Sequence, residues 1–277
     1  MSMLRTLAAA LGLTLALALG MSACTSGTTE PEADPSPAAS PYPTETTPPD
    51  PGPRPKVGEC HDLSFRQAVS VVGRTEPVAC RTGHTAETFL VGRLELATKA
   101  GRMRRVDSRA AQRQARAACT SRLPRHLGRS PRELRLSMAQ AVWFTPSPQR
   151  AAAGADWFRC DVVVVASERK LLRLPRRTRD WGDAPAVAMC ATAAPGTPAF
   201  RRVTCSAQHS WVAVATVDIP GRKLPARGAI TDRMDGPCRD AARSRAGDLL
   251  DFTWSQEIPT AEQWDAGRHY GICWVPA

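Results

Sequence analysis

Residues 145–160 read TPSPQRAAAGADWFRC, and residues 258–273 read IPTAEQWDAGRHYGIC. Each segment has a proline, a glycine eight residues later, an aromatic residue three further on and a cysteine three beyond that. These positions are Pro146, Gly154, Trp157 and Cys160, then Pro259, Gly267, Tyr270 and Cys273. Upstream of each segment, Cys80 and Cys205 each precede a histidine by four positions. The same positions recurring in the same order predict two tandem copies of one domain.

The nine cysteines divide unevenly along the chain: Cys24 stands alone after an apolar leader, and each copy holds four of the others. An even set of cysteines in an exported chain predicts a disulfide framework. A helix packed on a sheet brings a helical cysteine close to one on the last strand. The expected bonds are Cys60–Cys80, Cys119–Cys160, Cys190–Cys205 and Cys238–Cys273.

The first 56 residues predict an export signal and a tether. Residues 1–23 have one early arginine, an apolar run and small residues before Cys24, which is typical of a lipoprotein signal peptide. Lipidation of Cys24 (a diacylglyceryl group with palmitate-type chains) would anchor the protein on the extracytoplasmic face of the cell membrane. An ordinary cleaved signal or an uncleaved anchor is the alternative. Residues 24–56 are proline-rich with almost no large apolar side chains, which predicts a disordered tether.

The first copy is predicted to span residues 57–167. Alternating or continuous apolar runs indicate strands at 85–96, 134–144 and 157–165. An alanine- and arginine-rich stretch at 107–123 predicts the longer helix. A short helix is expected between Ser147 and Gly154, because serine caps a helix start and glycine suits left-handed closure.

The second copy, residues 184–277, follows the same plan after a basic connector at 168–183. Its longer helix is expected to begin near Asp235, and Thr260 with Gln263 forms a capping box for its short helix. The predicted fold class is therefore α+β: two tandem small disulfide-stapled domains. Each would have a mostly antiparallel sheet with one longer helix and one short helix.

Positive charge concentrates in the first copy. Residues 57–180 contain 24 basic and 11 acidic side chains, a net +13, whereas residues 181–277 contain 10 of each. Arg109, Arg113 and Arg116 fall on one face of the predicted longer helix. In an exported protein this face would attract anionic lipid or a wall polymer, and no nucleic acid is expected. A solvated face in an arginine-rich chain is the alternative.

Catalytic patterns are scarce in the sequence: there is no Gly-x-Ser-x-Gly, His-Glu-x-x-His or phosphate-loop motif, and Ser167-x-x-Lys170 matches an acylating-serine motif only by letter. We therefore expect no enzyme and no catalytic residue. His84 with Glu87 is a candidate peptide- or glycan-binding pair, although a structural histidine is the alternative. Because disulfides would consume the cysteines, we expect no metal and no cofactor. The carboxylates that could converge for glycan hydrolysis are Asp156, Asp161, Glu257 and Glu262.

Several short motifs resemble the septum-formation-related domain of secreted lipoproteins from high-GC Gram-positive bacteria. The residues that carry the resemblance are Val57-Gly58-Glu59-Cys60, then Cys80, His84 and Glu87, then Pro220-Gly221 with Cys238, and finally Pro259, Trp264, Gly267 and Cys273. The second copy departs from the pattern by placing Val212 where Glu87 stands. The resemblance implies a link to cell division or the envelope and supplies no catalytic residue.

These observations predict a non-enzymatic, membrane-anchored envelope lipoprotein related to septum formation. Its expected partners are cell-wall or division components, and the membrane through the lipid on Cys24. An envelope enzyme acting on wall glycan or peptide is one alternative. A structural spacer is the other.

Overall fold

A computed structural model of the chain describes residues 50–178, 185–248 and 250–277. The predicted signal peptide, Cys24 and most of the predicted tether lie outside the described residues. Residues Thr47–Ala277 belong to one unit. Within it, two antiparallel sheets carry most of the packing.

The first sheet has the order β1-β2-β4-β3, with β5 paired to β4. Its strands are β1 (Cys60–His61), β2 (Ala86–Arg93), β3 (Ala139–Phe144), β4 (Trp157–Ser167) and β5 (Lys170–Leu171). The helices of this half are α1 (Phe65–Ala68), α2 (Arg109–Leu127), α3 (Pro131–Arg135) and α4 (Pro148–Ala152). The β-branched, apolar β4 lies between β2 and β3, as a strand buried on both faces should.

The second sheet has the order β7-β6-β8-β10-β9. Its strands are β6 (Met189–Ala191), β7 (Arg202–Thr204), β8 (Trp211–Asp218), β9 (Ser255–Glu257) and β10 (Tyr270–Pro276). The helices are α5 (Arg227–Arg243) and α6 (Ala261–Asp265). The path β6-β8-β10-β9 has the same order of strands as β1-β2-β4-β3 in the first sheet.

The four expected disulfides are all present among the described residues. Cα–Cα distances are 5.2 Å for Cys60–Cys80 and 5.3 Å for Cys119–Cys160. They are 4.9 Å for Cys190–Cys205 and 5.1 Å for Cys238–Cys273. In each half one bond closes the loop after the first strand, and the other fixes the long helix to the last strand.

Both long helices run through a proline, contrary to the prediction. The first continues past Pro124 to Leu127, where Gly128 closes it in the left-handed conformation at φ 64°. The second begins at Arg227, eight residues before the predicted start at Asp235, and contains Pro237. Its buried residues recur every four positions: Ile230, Met234, Cys238 and Ala242. Burial of this stripe against the sheet outweighs the hydrogen bond that proline removes.

The first half also departs from the predicted plan of one longer and one short helix. Residues 134–144 were expected to form one strand, but the segment begins in α3, which a Ser130–Glu133 capping box stabilises. With α1 and α4, this half has three short helices among its described residues. The predicted connector contributes β5, which pairs with β4.

One hydrophobic cluster joins the two halves. Its buried members are Met138, Ala139, Val164 and Leu174 from the first half and Met189, Ala191, Ala213, Ile272 and Trp274 from the second. The backbone joins the halves too: Met138 N donates to Val187 O at 2.7 Å, and Met189 N donates to Leu136 O at 2.9 Å. The second sheet is thus held between α5 on one face and the first half on the other.

Candidate functional site

A groove opens beside the Cys60–Cys80 disulfide, between the start of β2, the C-terminal end of α2 and the chain after β5. Its volume is about 440 Å³. The lining residues are Val57, Gly58, Cys80, Glu87, His126, Arg176 and Arg177. Two arginines, a histidine and a carboxylate therefore border one concave surface.

A second hollow of about 520 Å³ lies at the end of α2. It is lined by Phe89, Leu90, Arg122, Arg125, His126, Leu127 and Gly128. Because His126 lines both cavities, they adjoin at this side chain. We call the two together the basic trough.

Thr178 fixes the walls of the basic trough to each other. It is fully buried; its backbone N–H donates to Glu87 Oε2 at 2.8 Å, and its Oγ1 lies 2.9 Å from His126 Nε2. The His126 ring also stacks on Phe89, with centroids 5.1 Å apart. These contacts hold the segment with Arg176 and Arg177 against α2.

Four arginines of the trough are exposed: Arg122, Arg125, Arg176 and Arg177. Among the described residues, none of the four guanidinium groups takes part in a hydrogen bond, an ion pair or a ring contact. Their charges face solvent without an acidic partner in this part of the chain. A phosphate or carboxylate ligand could accept paired hydrogen bonds from such groups.

His84 and Glu87, the predicted binding pair, differ in their access to the trough. Glu87 lies in β2 and lines the trough. His84 is 0% exposed, and its carbonyl oxygen accepts a hydrogen bond from Leu174 N at 2.8 Å. Burial lowers the pKa of His84. Glu87, which is 8% exposed, therefore borders the trough, whereas His84 does not.

The predicted arginine face lies on the N-terminal half of α2, outside the trough. Arg109 and Arg113 are exposed there. Arg116 is half-buried and donates to the carbonyl oxygen of Ala266, at the end of α6. This arginine therefore links the two halves of the molecule.

The four carboxylates considered for glycan hydrolysis do not converge. Asp156 pairs with Arg93 at 2.9 Å, and Asp161 is buried with Arg159. Glu257 pairs with Arg202 and, at 3.1 Å, with Arg268. Glu262 is exposed on α6.

A buried polar network underlies the first sheet, on the face away from α2. Arg159 Nε lies 3.2 Å from Asp161 Oδ2, and Thr88 Oγ1 donates to Asp161 Oδ1 at 2.7 Å. Arg159 also lies 3.5 Å from His61 Nδ1 and over the Phe144 ring. Burial raises the pKa of Asp161 to about 6, against the opposing effect of Arg159. Burial and the Arg159 charge lower the pKa of His61 to about 4.

Most of the trough was not predicted from the sequence. His126 stands seven residues after Cys119, and Arg245 stands seven residues after Cys238, so the repeat itself offered an alignment. Arg176 and Arg177 lay in a segment interpreted as a connector. Nothing local indicates that Thr178 would hold that segment against α2.

The described ranges contain neither a metal-binding cluster nor a membrane-spanning helix. No group of histidine, cysteine, aspartate or glutamate side chains there is arranged to hold a metal ion. No helix in those ranges combines the length and apolar character needed to span a bilayer.

The family model for septum formation matches residues 57–273, which is most of the chain. The match covers both sheets, all four disulfides and both walls of the basic trough. The protein belongs to the septum formation family, which relates it to the formation of the division septum. No curated protein and no solved structure matches the chain.

Proposed function

We propose that this protein is a non-enzymatic, membrane-anchored envelope lipoprotein that acts in septum formation by binding an anionic envelope component. Its family membership supports the link to the septum. The leader sequence and Cys24 support export and lipid anchoring. The basic trough supports the binding role.

The observation that carries the binding role is the set of four exposed arginines around His126. Surface arginines in proteins often pair with acidic neighbours, but these four have none among the described residues. A concave surface lined with one sign of charge concentrates ions of the opposite sign. An anionic lipid headgroup and a phosphate-bearing wall polymer share the chemistry that would occupy it.

Binding is tested with the full chain lacking its leader, using phosphatidylglycerol vesicles and purified cell wall. We expect binding that weakens with salt, because exposed charges are screened beyond about 10 Å at 0.1 M. The variant Arg176→Gln/Arg177→Gln should bind more weakly. Its matched control is Arg109→Gln/Arg113→Gln, which removes the same charge from the same half outside the trough. Equal losses in both variants would show that net charge, and not the trough, governs binding.

Anchoring is tested separately by metabolic labelling with a fatty acid. The wild-type protein should incorporate the label, and Cys24→Ala should not. The Cys24→Ala protein should be released or accumulate as precursor. A wild-type protein that never incorporates fatty acid would exclude lipidation at this position.

A further inference from the structure

The two cavities of the basic trough share His126, and two exposed arginines border each of them. Arg176 and Arg177 border the groove on one side of His126. Arg122 and Arg125 border the hollow on the other side. A ligand with one anionic group satisfies one pair and leaves the other without a partner.

We infer that the trough holds a linear, hydroxyl-bearing phosphodiester polymer, with successive phosphates bound on the two sides of His126. This inference rests on the proposed function, because it names the ligand class for the same site. Cavities of about 440 and 520 Å³ lie in the range that accommodates small-molecule ligands, so each can hold a sugar-phosphate or polyol-phosphate unit. Guanidinium groups match phosphate oxygens in bidentate geometry.

Glu87 accounts for the hydroxyl groups in this ligand class. Its Oε2 accepts the Thr178 N–H, and no other hydrogen bond of this carboxylate occurs among the described residues. The other oxygen can accept a hydrogen bond from a hydroxyl group of the ligand. A carboxylate also repels phosphate, so Glu87 disfavours a phosphate at its own position and favours phosphates placed toward the arginines.

The equivalent cavity of the second half has different chemistry. It measures about 340 Å³ and lies between the end of α5 and the sheet. Val212 stands where Glu87 stands in the first half, and Arg245 stands where His126 stands. Most other lining residues are small or apolar: Ala242, Ala246, Gly247, Phe252, Val275, Pro276 and Ala277. The inference therefore assigns polymer binding to the first half, and Arg245→Gln serves as an internal control.

Calorimetric titration of the full chain without its leader tests the inference, using poly(glycerol phosphate) oligomers of increasing length and glycerol phosphate as the monomer. Affinity should rise by about 10²-fold or more from the monomer to an oligomer long enough to reach both arginine pairs, because the second contact is intramolecular. Arg122→Gln/Arg125→Gln should reduce oligomer affinity toward the monomer value and leave monomer binding largely unchanged. Arg245→Gln should leave both affinities unchanged. Each variant should fold, because Arg122, Arg125 and Arg245 are exposed. Thermal melting checks this.

The outcomes separate this inference from the proposed function. Equal affinities for monomer and oligomer would contradict polymer binding and would leave a site for a single anionic group. Binding only to phosphatidylglycerol vesicles would assign the trough to lipid headgroups and overturn the polymer as well. Failure of oligomers, monomer and vesicles alike would overturn both proposals.

Discussion

Asp161 and Trp274 occupy equivalent positions in the two halves, each one residue after the cysteine that links the last strand to the long helix. Two positions earlier, Arg159 corresponds to Ile272. The same strand face therefore carries a buried ion pair in the first half and two apolar side chains in the second. Both faces are covered, but by different parts of the molecule.

The first half covers its polar face with its own chain. The loop closed by Cys60–Cys80 supplies Leu63 and Ala68 to this side of the sheet, and Thr75 contacts Arg159. The corresponding loop in the second half is shorter, since its cysteines are 15 residues apart and not 20. There the first half covers the sheet, and an apolar face is what such an interface requires. The sheet face that the first half covers with its own loop thus differs in two ways from the sheet face that forms the interface in the second half. The loop beside it is longer, and two positions of the last strand are charged and not apolar.

The comparison predicts that breaking the ion pair is the most damaging change. Arg159→Leu would leave Asp161 buried without its charge partner, which should lower the free energy of unfolding by about 3–5 kcal/mol. Arg159→Ile/Asp161→Leu introduces an apolar pair like that of the second half and should lose less. Urea denaturation of the two variants measures the difference. If the double variant is as unstable as Arg159→Leu, the lost stability comes from removing the polar network and not from leaving Asp161 without its charge partner.

The next largest effect is expected from the helix-to-strand disulfides. Cys119→Ser/Cys160→Ser should lower stability by about 2–5 kcal/mol. Cys238→Ser/Cys273→Ser should cost a similar amount, because the cysteines are 41 and 35 residues apart. Independent domains would confine each loss to one half. The shared cluster around Met138 and Trp274 instead predicts that both halves unfold in one transition. Two separate calorimetric transitions would contradict this.

Local signals predicted the parts of the fold that depend on local chemistry. The capping box at Thr260, the serine cap at Ser147 and the glycine closures at Gly154 and Gly267 all appear in the structure. The disulfide pairs were predicted from the recurring cysteine order and from the packing of a helix on a sheet, and all four are in the structure. Each of these features depends on a few neighbouring residues or on an internal comparison.

Features that depend on distant packing were not predicted. The start of α5 was predicted near Asp235, although burial of Ile230 and Met234 extends the helix back to Arg227. Glu87 was paired with His84 because they are close in sequence, whereas the structure brings Glu87 to Thr178, which is 91 residues away. Arg116 was assigned to a ligand surface and contacts Ala266 in the other half. No sequence pattern encodes these long-range partners.

A smaller effect is expected at two glycines that make room for large side chains. In the first half a Cβ at Gly92 would overlap the ring of Phe158 on the neighbouring strand. In the second half the glycine is Gly271, and Met234 of α5 packs over it. Gly92→Ala should cost about 1–3 kcal/mol, the usual range for overpacking. Gly271→Ala should cost less, since methionine adapts its shape more readily than a phenyl ring. Chemical denaturation gives both values, and the reverse order would contradict the argument.

The smallest effect expected is a pH dependence of the buried polar network in the first half. Burial raises the pKa of Asp161 from 3.8 to about 6, so between these values the folded state binds more protons at this site than the unfolded state. Stability from Asp161 therefore increases as the pH falls from 6 toward 4. The pKa of His61 is lowered from 6.5 to about 4, so the unfolded state binds more protons there. Stability from His61 decreases as the pH falls through the same window.

These two slopes oppose each other, so the intact network should show little net pH dependence of its own. Removing one group should reveal the other. Relative to wild type, His61→Gln should gain stability on going from pH 6.5 to 4.5, and Asp161→Asn should lose it. Urea denaturation at the two pH values measures each change as a difference from wild type, which cancels titrations elsewhere in the chain. Ile272 and Trp274 do not titrate, so Ile272→Val should show the wild-type pH dependence. If the stabilities of His61→Gln and Asp161→Asn, relative to wild type, change in the same direction between the two pH values, His61 and Asp161 do not have opposing effects on stability.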